Sequence, residues 1–262
     1  MGRPARWSLE PTKKGVAICK LSSWKYFSDY VNQELLDYTS YVFRGHADSS
    51  WKLEPTLDRV IKNPESSKRN LHLENFKYEV RGRRGPNPSI MQDENDWWAL
   101  GQHHGLHTPL LDWTESPFVA LYFAASNAHK LRTNSLAVFA FFQHSANVFN
   151  NAITNDPNVA LVNDRKPTVK IVKPLSDENR RLVSQRGLFT RGPNNMDIES
   201  WVNKYNTYKG GEMSLIKIII PNSGIQDCLR YLNRMNINHS TLFPDLSGAS
   251  DYCNKHLTIN KY

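Results

Sequence analysis

Titratable and hydroxyl side chains interrupt the most apolar part of this chain. In Trp97 to Ala125, WWALGQHHGLHTPLLDWTESPFVALYFAA, three histidines, Asp112, Thr114 and Ser116 lie among tryptophans and aliphatics. A core does not need that mixture, because a buried polar group without a partner is costly, so the fold or a ligand must hydrogen-bond these groups. Arg44 poses the same problem. It follows Val42 and Phe43 in a strand-like run, and a guanidinium cannot shed its proton to escape burial. It requires a phosphate, or a carboxylate such as Asp112 or Glu74. Asp112 reads either as a buried hydrogen-bond hub that fixes Trp113, or as a group that orients a ribose hydroxyl or polarises a nucleophile. A neutral imidazole at His103 or His104 suits a ligand or the backbone around Asp112. His103 and His107 are four apart, but Gly105 breaks the helix that a paired-histidine metal site requires and no glutamate follows the first histidine, so no metal is expected. Trp97, Trp98, Trp113 and Tyr122 could stack a nicotinamide or adenine ring, or fill a core. Neither a glycine-rich phosphate loop nor a nucleophile elbow occurs.

The elements that position these residues are legible in outline. Trp24, Phe27, Val31 and Leu35 predict an amphipathic helix over 22–36, TSYVFRG a strand ending at Gly45, and Leu71 to Val80 a helix with Leu73, Phe76 and Val80 inward. Trp97 to Gln102 predicts a helix ended by Gly105. Ser116 before Pro117 is an N-cap and first-turn pair, which predicts a buried helix from Phe118 to Ala125 and treats Asp112-Trp113-Thr114 as the turn before it. LAVFAFF at 136–142 and LIKIIIP at 215–221 predict central strands, TVKIVK at 168–173 a half-exposed one, and Ile225 to Leu232 another helix. Irregular alternation of helices and strands predicts an α+β fold. With 262 residues and no linker-like tract, one domain is expected, with a short helical extension over about 1–39.

The net charge of +8 is uneven. Residues 165–191 carry Arg165, Lys166, Lys170, Lys173, Arg180, Arg181, Arg186 and Arg191 against Asp177 and Glu178, and Arg81, Arg83 and Arg84 occupy a Gly/Pro-rich loop. Such clusters suit a polyanion or form a solvated basic face. Arg81, Arg83, Arg84, Arg180 and Arg181 are the nucleic-acid-binding candidates. Three scattered cysteines argue against a disulfide framework or a thiolate zinc site. Without a membrane-length apolar run or a signal-like N-terminus, a cytoplasmic protein with no membrane partner is expected.

Phe43-Arg44-Gly45, WKLEPTLDR from Trp51, QHHGLHTPLLDWTESPFVALYFA, Gln185 to Thr190 and Leu242 to Leu246 together resemble the FRG domain family, in that order. The family's pattern has proline and arginine where this chain has His107 and Pro109. The order of elements is also similar to that of Arg-Ser-Glu ADP-ribosyltransferases, which implies a split mixed β-sheet core surrounded by helices. That resemblance implies NAD as substrate and no metal. It sets Arg44 against the NAD phosphates and gives Thr114 and Ser116 the place of that class's hydroxyl turn. Read from the residues themselves, Gly45, His103, His104 and Trp113 join the NAD-binding candidates, and Asp112 joins Thr114 and Gln185 as a catalytic candidate. Gln185 stands in the glutamate's place and can hydrogen-bond a ribose hydroxyl without carrying charge. The resemblance implies transfer of ADP-ribose, as a toxin or antiphage effector with a neutralising antitoxin or regulatory partner, and the basic surface favours RNA or single-stranded DNA as the acceptor. A non-enzymatic nucleotide- or nucleic-acid-binding module, an NAD glycohydrolase and a nuclease are the alternatives.

Overall fold

In the computed structural model, residues 5–174, 180–206 and 213–262 are described; Asp177 and Glu178 lie outside them. The described residues build an eight-stranded sheet from β1 (Trp7–Leu9), β2 (Val16–Leu21), β3 (Tyr41–His46), β4 (Leu110–Thr114), β5 (Ser135–Phe142), β6 (Lys170–Val172), β7 (Gly187–Arg191) and β8 (Leu215–Pro221). The spatial order is β1-β2-β8-β5-β3-β4-β7-β6. Only β2 and β8 pair in parallel; every other ladder is antiparallel, so the sheet is mixed. The helices are α1 (Phe27–Tyr30, continued by a π-helical turn to Leu35), α2 (Thr56–Val60), α3 (Lys68–Glu79), α4 (Glu94–His103), α5 (Pro117–Leu131), α6 (Gln143–Asn155), α7 (Arg180–Gln185), α8 (Ile198–Tyr205), α9 (Ile225–Arg234), α10 (His239–Leu242) and α11 (Leu246–Thr258). The fold class is α+β, as the irregular alternation predicts.

β5 shows why the sheet is central. Its period-two alternation sends Leu136, Val138 and Ala140 into the core beneath α5 and α9, and Ala137, Phe139 and Phe141 into the core beneath α6 and α8. Both faces are covered, so the run reads as continuously apolar. The half-exposed strand expected of TVKIVK is β6, which ends the sheet with Lys170 exposed and Val172 buried.

The N-terminal segment departs from the helical extension expected over 1–39. Helix does form from Trp24 to Leu35, but β1 and β2 precede it, and β2 pairs with β8 inside the sheet. The cause is the short alternating stretch Val16, Ala17, Cys19 and Leu21, whose side chains are buried. Asp112-Trp113-Thr114 likewise belongs to strand β4 and not to a turn. Ser116 caps α5 as expected, accepting from the Val119 amide, with Pro117 in the first turn. The motif around Leu53 to Arg59 has a structural use: Leu53 and Leu57 are buried, and Asp58 pairs with Arg69 of α3.

Candidate functional site

β3 and β4 are joined at one pair, Phe43 opposite Thr114, whereas β3 stays in register with β5 from Tyr41 to His46 and β4 with β7 from Leu110 to Thr114. Away from that pair β3 and β4 part, and Arg44 reaches across the opening. Its Nη1 donates to the Asp112 carbonyl at 2.7 Å and to Asp112 Oδ2 at 3.3 Å. The guanidinium takes a backbone acceptor that a fully paired strand would have occupied. Its Nε donates to His46 Nε2 at 3.0 Å. Burial and the neighbouring guanidinium push His46 down to about 3, so it is neutral with its proton on Nδ1. Burial also lowers Arg44 from its ordinary value, opposed by Asp112, yet a guanidinium so placed remains a cation. Among the described residues nothing hydrogen-bonds Arg44 Nη2.

Asp112 is fixed from its other side by Gln102 Nε2, which donates to Oδ2 at 2.9 Å. Gln102 Oε1 in turn accepts from the Thr108 hydroxyl, whose oxygen accepts from the Leu110 amide. The carboxylate is therefore oriented, while its Oδ1 has no hydrogen bond among the described residues and the side chain remains 60% exposed. An open cationic nitrogen and an open carboxylate oxygen thus belong to neighbouring side chains.

Both side chains line a cavity of about 310 Å³ whose wall also includes Gly45, Gln102, His103, Thr114 and Gln185. Gly45 is demanded by packing: a Cβ there would stand 2.0 Å from the Ala120 carbonyl oxygen, because α5 crosses β3 at Ala120 and Ala124. The Thr114 hydroxyl donates to the Gln185 carbonyl at 2.6 Å and accepts from the Ser116 amide at 3.0 Å. Gln185 ends α7, and its Nε2 donates to the Leu242 carbonyl at 3.0 Å. The structure therefore brings Arg44, Gly45, His103, Asp112, Trp113, Thr114 and Gln185 to one cavity. His103 is held below its usual value by burial, then by His104 and Arg181.

Other expected residues lie elsewhere. His104 is exposed and touches His103 edge-on at 4.7 Å without lining the cavity. Ser116 is absent from that wall, its oxygen used by the helix cap. The Trp113 ring packs 5.6 Å from Phe141 in the core, and its indole donates to Thr190, so its faces are not available for stacking a ligand. The aromatic surface comes instead from Phe123 and Phe243, edge-to-face at 5.9 Å. Sequence reasoning missed these two and Gln102 as site residues, although all three lie in recognised motifs.

Most of the basic run at 165–191 is engaged within the fold. Lys173 and Arg186 pair with Glu115, Arg191 with Glu94, and Lys166 donates to two backbone carbonyls. Arg181, expected on a nucleic-acid surface, lines the cavity and donates twice to Asp245 Oδ2, at 2.9 and 2.5 Å. Asp245, the N-cap of α11, is held well below the usual carboxylate range by Ser247, the Gly248 amide and Arg181. Arg84 is likewise engaged, donating to the Ser89 carbonyl beside the Trp97 ring. Arg81, Arg83 and Arg180 are exposed. Among the described residues no helix is long and apolar enough to cross a membrane.

A family model described as the FRG domain matches residues 39–133, from the start of β3 to the end of α5. No curated protein and no solved structure matches the chain. The matched segment holds Arg44, Gln102, His103, Asp112 and Thr114 but not Gln185 or Phe243, so the family signature coincides with one wall of the cavity. The segment that carries the Arg44–Asp112 pair is thus similar to the FRG domain.

Proposed function

We propose that this protein transfers ADP-ribose from NAD to a macromolecular acceptor, preferably RNA or single-stranded DNA, as a cytoplasmic toxin or defence effector subject to a neutralising partner. The observation that carries the reading is the convergence of Arg44, Asp112 and Gln185, from three separate parts of the chain, on one cavity. The donor set suits NAD. Arg44 Nη2 offers charged N–H groups to a phosphate, and Phe123 and Phe243 offer apolar surface to a planar ring. A cavity of about 310 Å³ is at the small end for ligand sites, roughly 300–1,000 Å³, and would enclose the nicotinamide riboside half with the remainder on its rim.

In the reaction the bond between ribose C1′ and nicotinamide breaks, and its electron pair leaves with nicotinamide. Positive charge grows on the ribose until an acceptor oxygen or nitrogen bonds C1′ and releases its proton. Asp112 is the carboxylate among the cavity-lining residues, and its oriented, open Oδ1 can stabilise that charge or take that proton. Gln185 and Thr114 then act as positioning residues. NAD labelled in its adenylate phosphate, incubated separately with RNA, single-stranded DNA and protein, tests the reading. Nicotinamide release with label fixed to nucleic acid is expected; absence of release in every pool overturns it.

One observation favours a second reading, a nucleotide-binding module without catalysis: the Thr114 hydroxyl and the Gln185 amide are both committed to protein carbonyls. NAD binding by calorimetry without any release of nicotinamide is its signature.

A further inference from the structure

A second opening lies beside the last turns of α5, between that helix, the start of α9 and α11, with a volume of about 920 Å³. Asn127 lines both this groove and the central cavity, so the two meet along one helix. Its cations are Lys130, Arg132 and Lys255. Lys130 and Arg132 are exposed, and neither has an ion pair or side-chain hydrogen bond among the described residues. Lys255 arrives from a different helix and donates to Ser126 at 2.7 Å. The carboxylate on the groove wall, Asp251, is held by His239 at 3.1 Å. His129 is lowered first by burial, then by Lys255 and Arg132; Lys255 is lowered by burial, with Asp251 opposing and Lys130 adding a smaller push. The rest of the wall is rich in amides, among them Asn127, Gln226 and Asn254, with no large exposed apolar anchor of the kind that dominates protein–protein contacts.

We propose that this groove seats the phosphate backbone of a single-stranded nucleic acid and leads it to the central cavity, an inference that rests on the transferase reading for the strand's role as acceptor. Lysine and arginine contact phosphate without reading sequence, while amide side chains pair with the edges of unstacked bases. The folded structure thereby moves the nucleic-acid surface away from the clusters apparent in the sequence. Those at 165–191 mostly meet carboxylates, whereas Lys130 and Arg132, inconspicuous in the sequence, have no ion pair among the described residues and line the groove.

The test is binding of a fluorescent single-stranded RNA to the full chain without NAD, over a range of salt concentrations. Lys130→Gln with Arg132→Asn removes two charges; asparagine is chosen because Arg132 sits at φ 55, where asparagine is tolerated. We expect affinity to fall roughly tenfold at low salt and the log–log salt slope to shrink by about 1.4, about 0.7 per lost phosphate contact. Lys52→Gln with Lys62→Gln, two exposed lysines off the groove wall, should leave both unchanged. Equal binding by the groove variant and the wild type, or equal competition by poly-glutamate at matched charge, overturns the proposal. Because the assay contains no NAD, the two readings fail separately: nicotinamide release with groove-independent RNA binding removes the groove, and groove-dependent binding without release removes the transferase.

Discussion

Two arginine–aspartate pairs lie within the same sheet-and-helix framework, and they are finished differently. In the pair between α2 and α3 both side chains are almost wholly buried, 6% exposed for Arg69 and 2% for Asp58. Arg69 donates to Asp58, to the Asn63 and Ile61 carbonyls and to Asn195, and the second Asp58 oxygen accepts from the Asn195 amide. In the pair between β3 and β4 the arginine is 18% exposed and the aspartate 60% exposed. Arg44 leaves Nη2 open and Asp112 leaves Oδ1 open. A closed network holds loops together, whereas an oriented pair with one open group on each partner presents charge to a cavity. The same two residue types thus serve architecture in one place and recognition in the other.

The largest effect that separates them is on stability. Replacing Arg69 with Met should destabilise the fold by about 3–5 kcal/mol, because Asp58 would remain buried without its cation. Arg44→Ala should cost less than half as much in urea unfolding, since Asp112 can turn to water. Equal losses in the two variants would make Arg44 a second closed structural pair. Under the transferase reading the order reverses for turnover: Arg44→Ala should lower nicotinamide release by about a hundredfold or more, the loss of a charge-assisted phosphate contact, about 2.7 kcal/mol.

The difference between the pairs was only half legible in the sequence. Arg44 announced itself, because a guanidinium in Val-Phe-Arg-Gly cannot be buried alone, and Asp112 was already named as one of its two candidate partners. The strands β3, β5 and β8 followed from apolar runs, and α5 from Ser116-Pro117. What could not be read was the parting of β3 from β4, since pairing at a single position is a property of the whole sheet and leaves no local trace. Gln102 was invisible for the same reason: its value lies in meeting Asp112 across the α4–β4 connection. The ion pairs of the basic run left no sequence trace because Glu115 and Glu94 are distant in sequence from the cations they meet.

A middle-sized effect tests Asp112 itself. Asp112→Asn keeps the shape of the side chain and removes its charge, so kcat should fall about tenfold to a hundredfold with little change in the Michaelis constant for NAD. A rise in the Michaelis constant with kcat preserved would assign Asp112 to ground-state binding. Gln102→Leu should reproduce a smaller part of the kcat loss, because the carboxylate would keep Arg44 but lose its second restraint.

The smallest effect concerns His46, which separates the open pair from the closed one by giving it a titratable neighbour. Its imidazole accepts from Arg44, and its value is pushed down to about 3 from 6.5 by burial and that cation. A histidine whose folded value is depressed contributes stability that is complete above its unfolded value and is lost as pH falls below it, because the unfolded chain takes up the proton first. Between pH 7 and pH 6 this one group should lower stability by about 0.7 kcal/mol, with the loss steepening towards about 1.4 kcal/mol per pH unit further down. His46→Gln keeps an acceptor for Arg44 and does not titrate. Subtracting its pH–stability curve from the wild-type curve should leave that slope alone, free of the other histidines. A flat difference would mean that His46 keeps its ordinary value in the folded protein, and that Arg44 does not rely on a neutral imidazole to hold its guanidinium in the opening between β3 and β4.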